Sequence, residues 1–175
     1  MDKEIKSVKK EQPLKFVLLL LIVLLNIGCD QVSKTVVRQR IDYHQNISLI
    51  KNHLTLTKVE NTGAFLSAGD NLPEFAKIIL LNILPILVLI YGLYYLFTQT
   101  DLPRIFQLGM CFLIGGGIGN IYDRIKFGSV TDFLHIDFIL FRTGIFNLAD
   151  VSIMIGIGIL LLQSFLGNRL SRETI

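Results

Sequence analysis

An aspartate at the head of a long apolar run is the sharpest chemical feature of this sequence. Asp150 stands between Ala149 and Val151 and opens a largely apolar stretch through Leu162. An unpaired carboxylate at membrane depth is costly, so such residues mark function by default. The bland alternative is a helix N-terminal carboxylate favoured by the dipole, worth ~0.3–1 kcal/mol. Asn147 precedes it by three residues, and the same N-x-x-D pattern recurs as Asn120-Ile121-Tyr122-Asp123. Residues three apart on a helix share a face, so each pattern offers an amide beside a carboxylate. Arg124 can pair with Asp123 or bind an anionic head group. A polar cluster tying two helices together is the structural alternative for Asn120, Asp123 and Arg124. Asp132, in Val130-Thr131-Asp132-Phe133, reads alone as an acidic loop residue. Its interest lies in being a second carboxylate near Asp150. Two carboxylates in one site cannot both ionise easily, so one keeps its proton. The pair then supplies a base to activate water and an acid to polarise a carbonyl, as amide hydrolysis without a metal or covalent intermediate requires. On the residues alone, Asp123 is an equal candidate for membership of that pair.

Other chemistries are weaker. Ser33 and Lys34 suggest a serine–lysine pair, but neighbours on a helix point ~100° apart. Asp132, His135 and Asp137 could ligate a metal, yet there is no H-E-x-x-H and His135 reads as part of an amphipathic strand. Asp30 and Lys34, spaced i, i+4, suit an ion pair at a helix end, with substrate contact as the alternative. Cys29 and Cys111 form neither a disulfide framework nor a C-x-x-C and are expected to be buried as small hydrophobes.

The elements that must position these residues are set by composition. Of 175 residues 51% are hydrophobic and 18% charged, against ~25% charged in a soluble domain. The apolar residues come in blocks rather than periodically. A spanning helix takes ~20 of them, which predicts four spans over roughly 13–32, 75–97, 105–122 and 146–166. The length allows one domain, 1–175, with extracytoplasmic segments at 33–74 and 123–145. Pro85 is expected to kink the second span, and Gly115 to Gly119 forms a G-x-x-x-G that lets helices approach closely. Gly156 and Gly158 are expected to pack in the same way. Net charge is +3, but five of the 17 basic residues lie in the first 15 positions, which suits a membrane flank better than nucleic acid. That lysine-rich leader puts both termini in the cytoplasm, although the Asp30–Glu74 segment holds as many basic residues. Alternation in Ile47-Ser48-Leu49 and Leu54 to Val59 predicts short strands outside the membrane. All the unusual polar residues then fall at the external edge.

Five motifs occur in order: Asp30-Gln31-Val32-Ser33-Lys34, Asn61-Thr62-Gly63-Ala64-Phe65, Gly116 through Arg124, Val130-Thr131-Asp132-Phe133 and Phe146-Asn147-Leu148-Ala149-Asp150. Together they resemble the lipoprotein signal peptidase (signal peptidase II) family from Asp30 into the fourth span. The resemblance implies an α-helical membrane protein of four transmembrane helices with a small extracytoplasmic β-cradle and a short helix over the active site. It implies a monomeric aspartic endopeptidase of the bacterial inner membrane. Such an enzyme cleaves prolipoproteins N-terminal to a diacylglyceryl-modified cysteine, contacts membrane lipids, uses no metal or cofactor, and is the target of the cyclic peptide globomycin. It makes Asp132 and Asp150 the catalytic dyad. Asn61, Gly63, Asn120, Arg124 and Asn147 then line the substrate site, with Asp30, Lys34 and Asp123 in support.

Two rival readings compete. Gly28-Cys29, after a lysine-rich and then apolar stretch, resembles a lipobox, which would make the chain itself a lipoprotein. Against this, Asn26 sits where such a motif carries an apolar residue, and three further spans follow. The other rival is a small transporter with a carboxylate proton relay. That would spread acidic residues through the bilayer depth, whereas the second span has none.

Overall fold

The computed structural model describes residues 2–43, 45–51, 53–63, 72–99, 101–138 and 141–173. The chain runs α1 (Asp2–Arg40), β1 (Asn46–Ile50), β2 (Leu54–Asn61), α2 (Glu74–Lys77), a π-helical segment (Ile78–Ile83) and α3 (Leu84–Thr98). It continues as α4 (Arg104–Phe127), β3 (Val130–Phe138), β4 (Phe141–Phe146) and α5 (Leu148–Glu173). Among the described residues, four helical stretches are long and apolar enough to cross a membrane: Leu14–Arg40, Glu74–Thr98, Arg104–Phe127 and Leu148–Leu166. Ala64 and Phe65 of the second motif lie outside the described residues.

α4 is the central helix. Half of its most apolar window is buried, against 11–17% in the other three. Its glycines explain this. A Cβ at Gly116 would overlap the Ala149 carbonyl of α5, and one at Gly119 would come 2.5 Å from Asp30 Oδ2 of α1. A Cβ at Gly115 would come 2.6 Å from Asn26 Cβ of α1. Small residues thus let three helices meet at van der Waals distance, the main attraction available between helices in lipid. Gly156 packs against the Gly109 carbonyl, but Gly158 has nothing within 4 Å, so only one of the two α5 glycines serves close packing. Asn26, the polar member of the first apolar block, accepts a 2.6 Å hydrogen bond from Ser152 Oγ and ties α1 to α5.

Pro85 interrupts the second span as its chemistry requires. Proline lacks an N–H, and its ring strikes the carbonyl four residues back. The wider π-helical turn of Ile78–Ile83 lies immediately ahead and accommodates it.

α1 outlasts its apolar block by several turns. Those turns carry Lys34 and Arg38 inward, while Val37 and Ile41 pack with Phe133 of β3. The four strands form one antiparallel sheet in the order β1-β2-β3-β4. Asp132 therefore lies in a central strand rather than a loop, opposite Val59 of β2. His135, two pairs further on, is a strand residue as its alternation suggested. Gly128, with φ +77, terminates α4 in the left-handed conformation, and its N–H reaches the Arg124 carbonyl at 3.0 Å. That turn feeds the chain directly into β3. Of the two cysteines, Cys111 is buried in the core as expected. Cys29 is exposed on the outward face of α1, because its neighbour Asp30 takes the inward face.

Candidate active site

The two N-x-x-D patterns take different roles. Asn147 and Asp150 make a reciprocal capping arrangement at the start of α5. Asn147 Oδ1 accepts from the Asp150 N–H at 3.0 Å, and Asp150 Oδ2 accepts from the Asn147 N–H at 3.1 Å. Two N–H groups orphaned at the helix start are satisfied, and the carboxylate is fixed in place. Asn120 and Asp123, by contrast, sit in the last two turns of α4 and share Lys34 as a partner, and Asn120 also reaches Asp150.

Asparagine amides connect the carboxyls of Asp132 and Asp150. Asn120 Nδ2 donates to Asp150 Oδ1 at 2.8 Å. Asn147 Nδ2 donates to Asp132 Oδ1 at 2.6 Å and reaches Asn120 Oδ1 at 3.2 Å. Asn61 Nδ2 donates to Asp132 Oδ2 at 2.9 Å. Each amide is held in its orientation by a donor on its oxygen: Gly63 N–H on Asn61, Lys34 Nζ on Asn120, and Asp150 N–H on Asn147. Asp132 is 4% exposed. Burial, reinforced by the charge of Asp150, pushes its carboxyl up to about 6. The amide donors of Asn61 and Asn147 and the charge of Lys34 oppose the rise.

Behind this layer lies a buried ionic cluster. Lys34 Nζ contacts Asp30 at 2.8 Å, Asp123 at 3.0 Å and Asn120 Oδ1 at 2.9 Å, which uses all three ammonium protons. Arg38 reaches Asp123 at 2.9 Å and donates from Nε to Thr131 Oγ1 at 2.8 Å. Asp30 also caps α5, accepting from the Ala149 N–H at 2.9 Å. Asp123 belongs to this cluster and contacts neither Asp132 nor Asp150 among the hydrogen bonds described. Arg38, Glu60 and Ser129 escaped sequence reasoning, and Gln31 and Thr131 were met only as members of motifs, without a role. Gln31 bridges Asp30, Asp123 and the Gly119 carbonyl, while Glu60 accepts from Thr131 and Ser129. The spacing of Asp30, Lys34 and Arg38 at successive i, i+4 steps could have flagged Arg38. Nothing local marks Glu60 or Thr131.

A groove of about 450 Å³ opens onto Asp132 and Asp150 between the π-helical segment and α5. Asn61, Asn120, Arg124, Asp132 and Asp150 line it beside Leu80, Pro85, Ile153, Met154 and Ile157. Arg124 Nη2 donates to the Gly63 carbonyl at 2.9 Å, so the α4 end and the β2 end are tied beside the carboxyls. Its Nε is buried with no hydrogen-bond partner among the described residues.

The profile of signal peptidase (SPase) II matches residues 22–166 of this sequence. The chain belongs to that family. Lipoprotein signal peptidases of known sequence cover most of it. The Streptococcus pneumoniae R6 protein is 36% identical over 81% of this chain and 88% of its own length. That of Clostridioides difficile 630 is 37% identical over 79% and 88%. The fold agrees as well. A bacterial membrane enzyme solved by the in meso method at 2.3 Å superposes with a TM-score of 0.75 and 27% identity, covering 86% of this chain and 88% of that one. A second, at 1.9 Å, gives 0.74 and 25% over 83% and 90%. As a member of the signal peptidase II family the chain is a peptidase.

Proposed function

We propose that the chain is an aspartic endopeptidase of the bacterial cytoplasmic membrane that removes signal peptides from diacylglyceryl-modified prolipoproteins, with Asp132 and Asp150 as its catalytic dyad. The supporting observation is the asparagine bridge, which holds both carboxyls on one groove at the edge of the helical layer. Asp132, with its raised pKa, carries the proton. Asp150 takes a proton from water as it attacks the scissile carbonyl, and Asp132 donates to the developing oxyanion. Asn61 and Arg124 stand where substrate enters, and the apolar wall of the groove suits a signal segment arriving within the bilayer. Both termini lie in the cytoplasm, and the sheet and dyad on the opposite side.

The deciding experiment is cleavage of a diacylglyceryl-modified prolipoprotein by the purified protein in detergent or lipid. Asp132→Asn and Asp150→Asn are each expected to cut turnover by roughly 10²–10⁴-fold while remaining folded. Asp123→Asn should lose stability yet keep a measurable rate. A dyad variant that cleaves at close to the wild-type rate refutes the assignment.

A further inference from the structure

The dyad borders two cavities rather than one. Besides the groove among the helices, a cavity of about 520 Å³ lies against the sheet, and Asn61 and Asp132 line both. Both linings are mainly apolar, and it is the polar groups set into them that differ. The helix groove is walled by Leu80, Leu81, Ile153, Met154 and Ile157. The sheet cavity presents Asn46, Thr55, Thr57, His135 and Thr143 beside Val59, Gly144 and Ile145, and among the described residues no lysine or arginine lines it. Hydroxyls and amides both donate and accept, so such a lining satisfies peptide groups whatever side chains accompany them. A lipid phosphate would need a cation there. His135, flanked by Thr55 on β2 and Ile145 on β4, has a buried Nδ1 without a hydrogen-bond partner among the described residues. Buried polar atoms are nearly always partnered, so this one is suited to meet a group that arrives with a ligand.

A peptide bond delivered to the dyad has chain on both sides of it. The upstream half, apolar and within the bilayer, fits the helix groove. We infer that the downstream half lies in an extended conformation across the sheet cavity, its backbone held by the threonines, Asn46 and His135. Strands lie ~4.8 Å apart and an extended chain advances ~3.3 Å per residue, so crossing from β1 to β4 takes about four residues. The inference rests on the peptidase reading and identifies the part of the substrate which that reading leaves unplaced: a short polypeptide segment just after the lipidated cysteine, recognised through its backbone.

Substrate length tests it. Two diacylglyceryl-modified peptides share one signal segment; one ends as an amide at the cysteine, the other continues for six residues. Wild-type kcat/KM is expected to be at least tenfold higher on the longer peptide. Asn46→Trp, which fills the cavity from an exposed edge strand, and His135→Leu should each lower kcat/KM on the longer peptide five- to tenfold, mainly through KM. Both variants should leave the shorter peptide unchanged. Equal wild-type rates on the two peptides overturn the inference. So do variants of unchanged melting temperature that slow both peptides alike. A wild-type protein that cleaves neither, under conditions where it is folded, overturns the peptidase reading itself and this inference with it. The length comparison involves no substitution, so a poorly folding variant does not decide it.

Discussion

At Asp132, burial and the amides that touch its carboxyl act in opposite directions. Asn61 donates to Asp132, and such a bond favours the ionised carboxylate, opposing the burial that pushes Asp132 up to about 6. If the protonated form of Asp132 is the working acid, kcat/KM falls about tenfold per pH unit above that value, since this ratio reports the free enzyme. Asn61→Leu removes an interaction that lowers the pKa, so the alkaline limb should move to higher pH even though the maximal rate drops. A limb that stays in place or moves down contradicts the assignment of the acid. Lys34 acts one layer further back, where it orients Asn120 and neutralises Asp30 and Asp123. All three charged groups have fully buried side chains, and removing one partner of such a cluster typically costs ~3–5 kcal/mol. Lys34→Met should therefore lower the melting temperature in detergent sharply, and Lys34→Met with Asp30→Leu should recover part of the loss. A single variant that melts like wild type would mean the cluster is held together by something else. At this scale the sequence was legible in residue type but not in role. Asn120-x-x-Asp123 and Asn147-x-x-Asp150 are the same pattern, and only their positions at a helix end and a helix start separate a salt-bridge anchor from a cap.

Helix contacts supply the precision that those amides need. Asp150 and Asn120 stay within 2.8 Å because α4 and α5 approach closely at Gly116, and Lys34 reaches Asn120 because Gly119 leaves room for Asp30. Gly116→Ala and Gly119→Ala should each destabilise the fold by about 1–3 kcal/mol, the usual cost of overpacking, and lower turnover as well. Gly158→Ala has nothing within 4 Å and should be neutral or gain up to ~1 kcal/mol from helix propensity. Thermal unfolding of the three variants in one detergent separates them, and equal shifts would refute the close-packing account. The G-x-x-x-G spacing announced the first contacts, whereas nothing in the local sequence distinguishes Gly156 from Gly158, whose difference is set by which face of α5 meets α4. The start of the strand that carries Asp132 was equally hidden. Val130 to Phe133 is buried on both faces, so the alternation that revealed β1 and β2 is absent from its first half.

The molecule as a whole divides by solvent. Leu18, Leu25, Leu87, Tyr94, Leu162 and Phe165 are among many large apolar side chains that face outward, a surface that suits lipid rather than water. The four blocks made this division legible, and so did the collection of polar residues at one edge. What the blocks concealed was the length of α1. Lys34 and Arg38 look like a membrane exit in sequence, yet they turn inward to Asp123 and extend the helix to the sheet. That extension binds the sheet to the same end of the helical layer as the dyad, while the turn at Asp101 lies at the other end, between α3 and α4. The topology is therefore testable with two positions. In a background with Cys29→Ser and Cys111→Ala, Leu49→Cys on exposed β1 should react with a membrane-impermeant maleimide added to intact spheroplasts. Asp101→Cys, exposed in the α3–α4 turn, should react only after permeabilisation. The reverse pattern would place the dyad in the cytoplasm, where a signal segment threaded through the membrane could not present its lipidated end. Labelling of both from outside would mean that the second span does not cross.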